Sequence, residues 1–112
     1  MRSDRERLLD ILEAIEKIER HTMGGKEAFD SDELLQVWII HHLQTIGEAA
    51  SKLGSRFRKS HPEVPWAQII GMRNILIHDY FAVDLDEVWV AANRDIPVLK
   101  KEILAILDKI DS

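Results

Sequence analysis

The sequence contains no cysteine, and this absence excludes several kinds of site at once. Without thiols the chain can form neither a disulfide nor a thiolate metal site. A metal site made from histidines alone has little support, because His41 and His42 are adjacent and point in different directions. We therefore expect no metal and no other cofactor. The composition is compatible with the reducing cytoplasm, where we expect the protein to work.

Long apolar runs and strand-like patterns are missing as well. No run approaches the roughly 20 apolar residues of a membrane span, and residues 1–7 lead into a charged amphipathic pattern rather than a signal peptide. No segment alternates as a strand does, and there is no glycine-rich phosphate loop and no repeat. We expect an all-α protein with no membrane partner.

The composition that is present suits one soluble globular domain over residues 1–112, since 46% of the residues are hydrophobic and 31% are charged. The net charge of −5 argues mildly against nucleic-acid binding, but it is unevenly spread. A stretch between Glu48 and Glu63 has no acidic residue and carries +4, which leaves −9 on the rest. Its basic residues, which are candidate RNA contacts, are Lys52, Arg56, Arg58 and Lys59. These positive charges could equally well stabilise the negative end of a helix dipole at a helix C-terminus.

Apolar residues recur at helical steps in four stretches. The first, from Asp4 to His21, predicts a one-faced amphipathic helix that ends at paired glycines, with a loop after it. Asp30 stands three residues before Glu33, which is the spacing of a capping box, and predicts the start of a second helix that runs to Phe57.

The second helix should be the central one, because its apolar residues cover more than one stripe. Gly47 within it is small enough to let another helix approach closely. A third helix should start at Pro65 and run to His78. We expect it to bury Ile69, Met72, Ile75 and Leu76.

The fourth helix should begin at Asp84, which lies three residues before Glu87, and continue to the end of the chain. Pro97 should kink it near Asn93, whose carbonyl would lose its hydrogen-bond donor. The fold predicted from these patterns is an antiparallel four-helix bundle with short loops and a fourth helix kinked near Pro97.

Polar side chains are concentrated at the end of the third helix, in the sequence Arg-Asn-Ile-Leu-Ile-His-Asp-Tyr. Arg73 can clamp a phosphate, and His78 can act as a base or an acid near neutral pH. Cleavage of RNA without a metal needs such a base for the ribose 2′-hydroxyl, a cation for the charge on phosphorus, and an acid for the leaving oxygen. Asn74 lies four residues before His78 and could orient its imidazole or touch phosphate.

Arg73 and His78 are five residues apart, which places them about 140° apart around one helix. This spacing favours either a helix that breaks at His78 or a site shared between two subunits, and we expect a homodimer. Structural roles also fit: His78 could cap the helix, Arg73 could pair with Asp79 or Glu48, and Tyr80 could be a packing residue.

Five further segments accompany this pattern, and together they carry a resemblance to a known family. They are residues 46–50 (IGEAA), 61–66 (HPEVPW), 71–73 (GMR), 78–81 (HDYF) and 83–89 (VDLDEVW). With the Arg-x4-His-x-Tyr pattern they resemble, in order and spacing, the HepT-like branch of the HEPN superfamily, ribonuclease toxins that are paired with MntA-type minimal nucleotidyltransferase antitoxins.

The resemblance implies a four-helix HEPN domain in a symmetric homodimer whose two signature segments face each other across a cleft. It implies metal-independent endoribonuclease activity on mRNA or tRNA, as the toxin of a type VII toxin–antitoxin system. Arg73 and His78 would be the catalytic residues, and Tyr80 would be the residue that the antitoxin adenylylates. The rival interpretation is a non-catalytic HEPN module that binds a nucleotide or the nucleotidyltransferase. The complete Arg73, His78 and Tyr80 set favours the enzyme, because a binding module needs no base beside a phosphate clamp.

Overall fold

The structure, a computed structural model, describes residues 2–112, and within this range every regular element is a helix. The α-helices are α1 (Asp4–Glu19), α2 (Gly25–Ser31), α3 (Glu33–Ser51), α4 (Ser55–Ser60), α5 (Trp66–His78), α6 (Leu85–Val90) and α7 (Ile96–Asp111). A 3₁₀ turn, Tyr80–Ala82, follows α5, and a π-helical turn, Ala91–Asp95, joins α6 to α7. The predicted all-α fold is confirmed.

The long helices form an antiparallel bundle in which α3 packs between α1 and α5, and α7 packs on α1. Contacts between helix ends fix the directions. The amide of Gly54, beyond the end of α3, donates to Asp4 at the start of α1 (3.3 Å). Arg5 in the first turn of α1 pairs with Asp111 at the end of α7 (2.8 Å). The Nε2 of Gln44 on α3 donates to the carbonyl of Leu76 near the end of α5 (3.1 Å).

The core consists mainly of apolar side chains from α1, α3, α6 and α7, with Phe29 of α2 and with Trp66 and Leu76 of α5. Its fully buried aliphatic residues include Leu8, Ile11, Ile15, Ile18, Ile39, Ile46, Val88 and Ile103. Burial of each such side chain contributes about 1.5–3 kcal/mol. Phe29 of α2 is fully buried and packs against Trp89, with 5.4 Å between the ring centroids. By contrast α5 packs mainly on α3, and a groove of about 640 Å³ lies between α5 and α7.

Several predicted helix ends are confirmed. The start of α1 and the extent of α5 agree with the sequence pattern. Asp84 caps α6, since its carboxylate accepts from the amides of Asp86 (2.9 Å) and Glu87 (3.4 Å). The interruption predicted near Asn93 is the π-helical turn before Pro97. Proline has no N–H for the carbonyl four residues earlier, and the helix accommodates the loss by widening locally.

The start of the second predicted helix is wrong. Asp32 rather than Asp30 is the N-cap of α3, and its carboxylate accepts from the amide of Leu35 (3.2 Å). The segment before it, expected to be a loop, forms α2 because Phe29 is anchored in the core. Asp32 has extended backbone angles (φ −128°, ψ 99°), which separate the two helices.

The predicted extension of that helix to Phe57 is also wrong. α3 ends at Ser51, and α4 is a separate short helix that starts after Gly54, whose backbone is extended (ψ 144°). Ile75, expected to be buried, is 55% exposed. It lies on the side of α5 that no other helix covers. Within residues 2–112 we find no helix that combines the length and the apolar character needed to cross a bilayer.

Candidate functional site

Arg73 lies on the side of α5 that faces α3, and contacts from both helices hold it in place. Its guanidinium pairs with the carboxylate of Glu48 (3.1 Å) and donates to the hydroxyl of Ser51 (3.0 Å), both on α3. It also donates to the side-chain oxygen of Asn74, its neighbour on α5 (3.0 Å). The Arg73 side chain is only 20% exposed. Its position is therefore fixed within a single chain.

Gly47 makes this close approach of α5 to α3 possible. A Cβ atom at position 47 would clash with the Cβ of Arg73, and it would lie 2.9 Å from the Cγ of Arg73 and 3.1 Å from the carbonyl oxygen of Ile69. Backbone atoms cannot yield as a flexible side chain can, so any larger residue would push α5 outwards. The expectation that Gly47 admits a second helix is confirmed.

Glu48 is the anion at the centre of this cluster, and it pairs with Lys52 (3.2 Å) as well as with Arg73. The sequence indicated Glu48 only as one of two ion-pair partners for Arg73, and Ser51 was missed altogether. Both could have been found from helical spacing, because Ser51 and Lys52 follow Glu48 by three and four residues. Glu48 is 45% exposed, so a stronger anionic ligand could displace it from Arg73.

His78 stands in a very different environment, although it is the last residue of α5. Its side chain is exposed, and it makes no hydrogen bond or ion pair with any residue of the described range 2–112. Asn74 was predicted to orient this imidazole or to touch phosphate, and its oxygen instead accepts from Arg73. Both ring nitrogens of His78 are therefore open to a ligand, and they can take up or release a proton.

Tyr80 follows in the 3₁₀ turn, with 45% of its surface exposed. Its ring packs edge-on against Phe81, with 5.9 Å between the centroids. Phe81 is itself fully exposed and offers no cover from solvent. The phenol is thus accessible to another protein at a position two residues from His78.

The basic segment predicted to contact RNA is divided between two environments. Lys52 follows the end of α3 and reaches the site through Glu48. Arg56 and Lys59 on α4 are exposed, and they have no ion pair within residues 2–112. Arg58 on the same helix is less exposed, and its Nε is buried without a hydrogen-bond partner.

Large apolar side chains are exposed on the first turns of α3, at the end of α5 and in the turn after it, and we name these residues together the apolar end surface. Its members are Leu34, Val37, Trp38, Ile75, Ile77 and Phe81, of which Leu34 is 82% exposed and Phe81 is fully exposed. Trp66 and Trp89 by contrast belong to the core. Large apolar side chains that are exposed in one chain are often covered at a protein interface. Within the described residues, no three histidine or acidic side chains are placed to hold a metal ion.

Comparisons with known proteins identify the family of the chain. The family described as "Ribonuclease HepT-like" matches residues 11–106. A protein of Thermococcus cleftensis named probable ribonuclease HepT is 43% identical over 100 residues, which cover 88% of this chain and 91% of the relative. A protein of Caldanaerobacter subterraneus that is provisionally named an RNase is 37% identical over 110 residues, which cover 97% of this chain and 98% of the relative.

A longer relative in Methanocaldococcus jannaschii has a name that joins a gamma-glutamylcyclotransferase to an RNase, the latter provisionally. It is 42% identical over 102 residues, which are 90% of this chain but only 46% of the relative. No solved structure gives a significant match. Because the family matches most of the chain, and relatives above 35% identity align over nearly all of it, the chain belongs to the ribonuclease HepT-like family.

Proposed function

We propose that the protein is a metal-independent endoribonuclease in which Arg73 binds the scissile phosphate and His78 is the base. Two features of α5 carry this proposal. The guanidinium of Arg73 is fixed between α5 and α3, and the imidazole of His78 at the end of α5 has no polar partner among the described residues. A guanidinium can stabilise the extra negative charge that develops on phosphorus in the transition state. A neutral imidazole nitrogen can take the proton of a ribose hydroxyl.

The reaction follows from these two groups. An imidazole nitrogen of His78 takes the proton of a 2′-hydroxyl, and the 2′-oxygen attacks the adjacent phosphorus. The bond from phosphorus to the 5′-oxygen breaks, and the leaving oxygen takes up a proton from water. The products are a 2′,3′-cyclic phosphate and a 5′-hydroxyl end. Substrate phosphate replaces Glu48 as the partner of Arg73, because Glu48 is half exposed and free to turn away.

The active form in this proposal is a twofold homodimer. Arg73 points towards α3, whereas His78 projects from the end of α5 without a partner, so one chain does not aim both groups at one phosphate. The apolar end surface lies beside His78 and would be covered by a second copy. A twofold axis there brings the two α5 ends together, and each phosphate then meets Arg73 of one copy and His78 of the other.

Incubation of purified protein with tRNA and total RNA in EDTA tests the activity. We expect cleavage that persists in EDTA and products that carry a cyclic phosphate, detected as ends that block ligation and resist a phosphatase until acid opens the ring. RNA with a 2′-deoxy residue at the cut position should resist cleavage. Preparations of His78→Ala made in the same way control for contaminating nucleases. Intact RNA with the wild-type protein would favour the rival function, a binding module without catalysis.

We further propose that the protein is the toxin of a type VII toxin–antitoxin system in the cytoplasm, and that an MntA-type nucleotidyltransferase silences it by adenylylating Tyr80. The phenol is exposed in a turn two residues after His78, where another enzyme can reach it. In this reaction the phenolic oxygen of Tyr80 attacks the α-phosphorus of ATP, and pyrophosphate leaves. The added phosphate carries negative charge and bulk next to the site, so it competes with RNA for Arg73.

Co-expression with the cognate nucleotidyltransferase tests this regulation. We expect a mass increment of one or more adenylyl groups on the peptide that contains Tyr80, and a loss of cleavage in proportion to it. Tyr80→Phe should show no increment and should remain active beside the partner. Silencing of the wild-type protein without any added mass would point to inhibition by complex formation instead.

A further inference from the structure

A second concave site lies between α1 and α3, next to the end of α5. It is a cavity of about 530 Å³, a volume within the range that holds small organic ligands. Its lining includes Arg7, Lys17, His41, His42 and Thr45, above a floor of Ala14 and Ala49. Ile77, the residue before His78, completes the lining, so the cavity opens beside the proposed catalytic imidazole.

His42 is the polar group that points to a ligand. It is only 5% exposed, and its Nε2 is buried without any hydrogen-bond partner. A buried nitrogen that lacks a partner is costly, and such groups in native proteins usually meet a ligand or ordered water. Burial lowers the pKa of His42, and the neighbouring His41 and Lys17 lower it further. The ring is therefore neutral at physiological pH, with one nitrogen as donor and the other as acceptor.

Arg7 supplies a cation with no partner of its own. The acidic side chains around the cavity are already paired: Asp10 with Arg2 (2.6 Å), Glu13 with Lys17 (3.3 Å) and Glu48 with Arg73 (3.1 Å). Arg7 makes no ion pair with any residue from 2 to 112, and its Nε is buried without a hydrogen bond. An unpaired guanidinium at the wall of a cavity is a binding group for phosphate.

Two aromatic rings pack against His42, and one of them, that of His41, lines the cavity together with His42. The rings of Trp38 and His41 lie 4.5 Å and 5.0 Å from the ring of His42, each in an edge-on orientation. Proteins that bind single-stranded RNA stack unpaired bases on rings of this kind and hydrogen-bond the base edges. The cavity thus combines a phosphate binder in Arg7, a hydrogen-bonding group for a base edge in His42 and a ring for stacking in His41.

We propose that this cavity is a subsite for one unpaired nucleotide of the RNA that flanks the cut, with its phosphate on Arg7 and its base against His42. The assignment rests on the proposed ribonuclease function and identifies the substrate as single-stranded at this position. It also explains why the Nε of Arg7 and the Nε2 of His42 have no hydrogen-bond partner among residues 2–112. A duplex would not offer His42 a base edge, because the edges of paired bases are already hydrogen-bonded to each other.

Binding of a fluorescently labelled 2′-O-methyl RNA oligonucleotide tests the subsite, because this RNA lacks the nucleophilic hydroxyl and stays uncut. Arg7→Gln should raise the Kd about ten-fold or more, the loss expected for a charged hydrogen bond to phosphate. Arg20→Gln removes the same charge from the C-terminal end of α1, from a residue that does not line the cavity, and should leave the Kd nearly unchanged. Equal effects of the two variants would show general charge attraction and overturn the proposal.

A second measurement needs no variant. An oligonucleotide with 4-thiouridine at successive positions, irradiated with the wild-type protein, should attach to peptides from residues 7–17 or 41–49. Attachment only to α4 or to other surfaces would overturn the subsite. A wild-type protein that binds RNA in an Arg7-dependent way but cuts none would contradict the proposed function alone. Cleavage with an unchanged kcat/KM in Arg7→Gln would contradict the subsite alone.

Discussion

The two signature residues of α5 occupy opposite surroundings, although little more than one helical turn separates them. Arg73 is largely buried against α3 and is held by Glu48, Ser51 and Asn74. His78 is exposed and contacts no polar group among the described residues. The phosphate-binding half of the site is thus preorganised inside one chain, whereas the proton-transfer half is left open for a substrate or a second copy.

We expect the largest effect on RNA cleavage when the side chain of Arg73 or of His78 is removed. The same two variants show whether the different surroundings of these residues affect stability. Arg73→Ala and His78→Ala should each reduce RNA cleavage by about 10²–10⁴-fold, because each removes a group that acts in the transition state. The two variants should differ in stability. Arg73→Ala should lower the free energy of unfolding by about 1 kcal/mol through its lost contacts, and His78→Ala should change it by less than about 0.5 kcal/mol.

Gel-based cleavage rates and urea unfolding curves measure the two effects, and circular dichroism should show that both variants remain helical. Arg20→Ala, an exposed arginine whose guanidinium bonds among the described residues only to the carbonyl of Glu16 within α1, is the control for loss of charge. Full cleavage by His78→Ala would exclude it as the base.

The packing that holds Arg73 is tested by a pair of glycine substitutions. Gly47→Ala should lower the free energy of unfolding by about 1–3 kcal/mol and reduce cleavage, since the new methyl group collides with Arg73 and with the backbone of α5. Gly71→Ala, on α5 itself, meets no atom within 4 Å. It should stabilise the helix by about 0.5–1 kcal/mol.

Urea unfolding of both variants decides between these expectations. Equal stabilities for the two would mean that α5 does not depend on close contact at Gly47. Retained cleavage in an unstable Gly47→Ala would mean that the position of Arg73 is less critical than the contacts indicate.

The buried His42 and the exposed His78 extend the comparison to pH. Here we expect the smallest effect, a change in how the free energy of unfolding depends on pH. The pKa of His42 is lowered by burial and by His41, Lys17 and His21, against a small opposing influence of Glu13. The unfolded chain therefore binds a proton below about pH 6.5 that the native chain resists, so the free energy of unfolding falls as pH falls through this value. It should level off below the native pKa of His42.

His42→Gln should remove part of this slope between pH 7 and 5, whereas the control His78→Gln should keep it. Urea unfolding at several pH values provides the measurement. An unchanged slope in His42→Gln would show that burial does not lower the pKa of His42 in the native protein.

The local chemistry of the chain predicted some helix ends well. The carboxylate of Asp84 accepts hydrogen bonds from backbone amides within one turn of it. Pro97 disturbs only the carbonyl four residues before it. Asp30 and Asp32 offered competing caps, and burial of Phe29 in the tertiary core decided between them. Such a choice depends on residues distant in sequence, so spacing could not make it.

In the site, too, the features within one helix could be predicted from the sequence, and the contacts between helices could not. The spacing of Arg73 and His78 indicated that one helix could not aim both at one point, and their environments differ as that spacing requires. Which residue bonds to Asn74, and whether the Nε2 of His42 finds a hydrogen-bond partner, depend on which helices face each other. The exposure of Ile75 depends on how many neighbours α5 has. None of these can be deduced from periodicity, which describes one helix at a time.

The shared site is tested most directly by a mixed dimer. Arg73→Ala and His78→Ala chains are co-expressed with different affinity tags and purified through both tags, so that each dimer contains one chain of each kind. If each site takes Arg73 from one copy and His78 from the other, one of the two sites is intact. The mixed dimer should then recover roughly half of the wild-type cleavage rate. A rate no higher than that of either variant alone would contradict a site built between two copies of this chain.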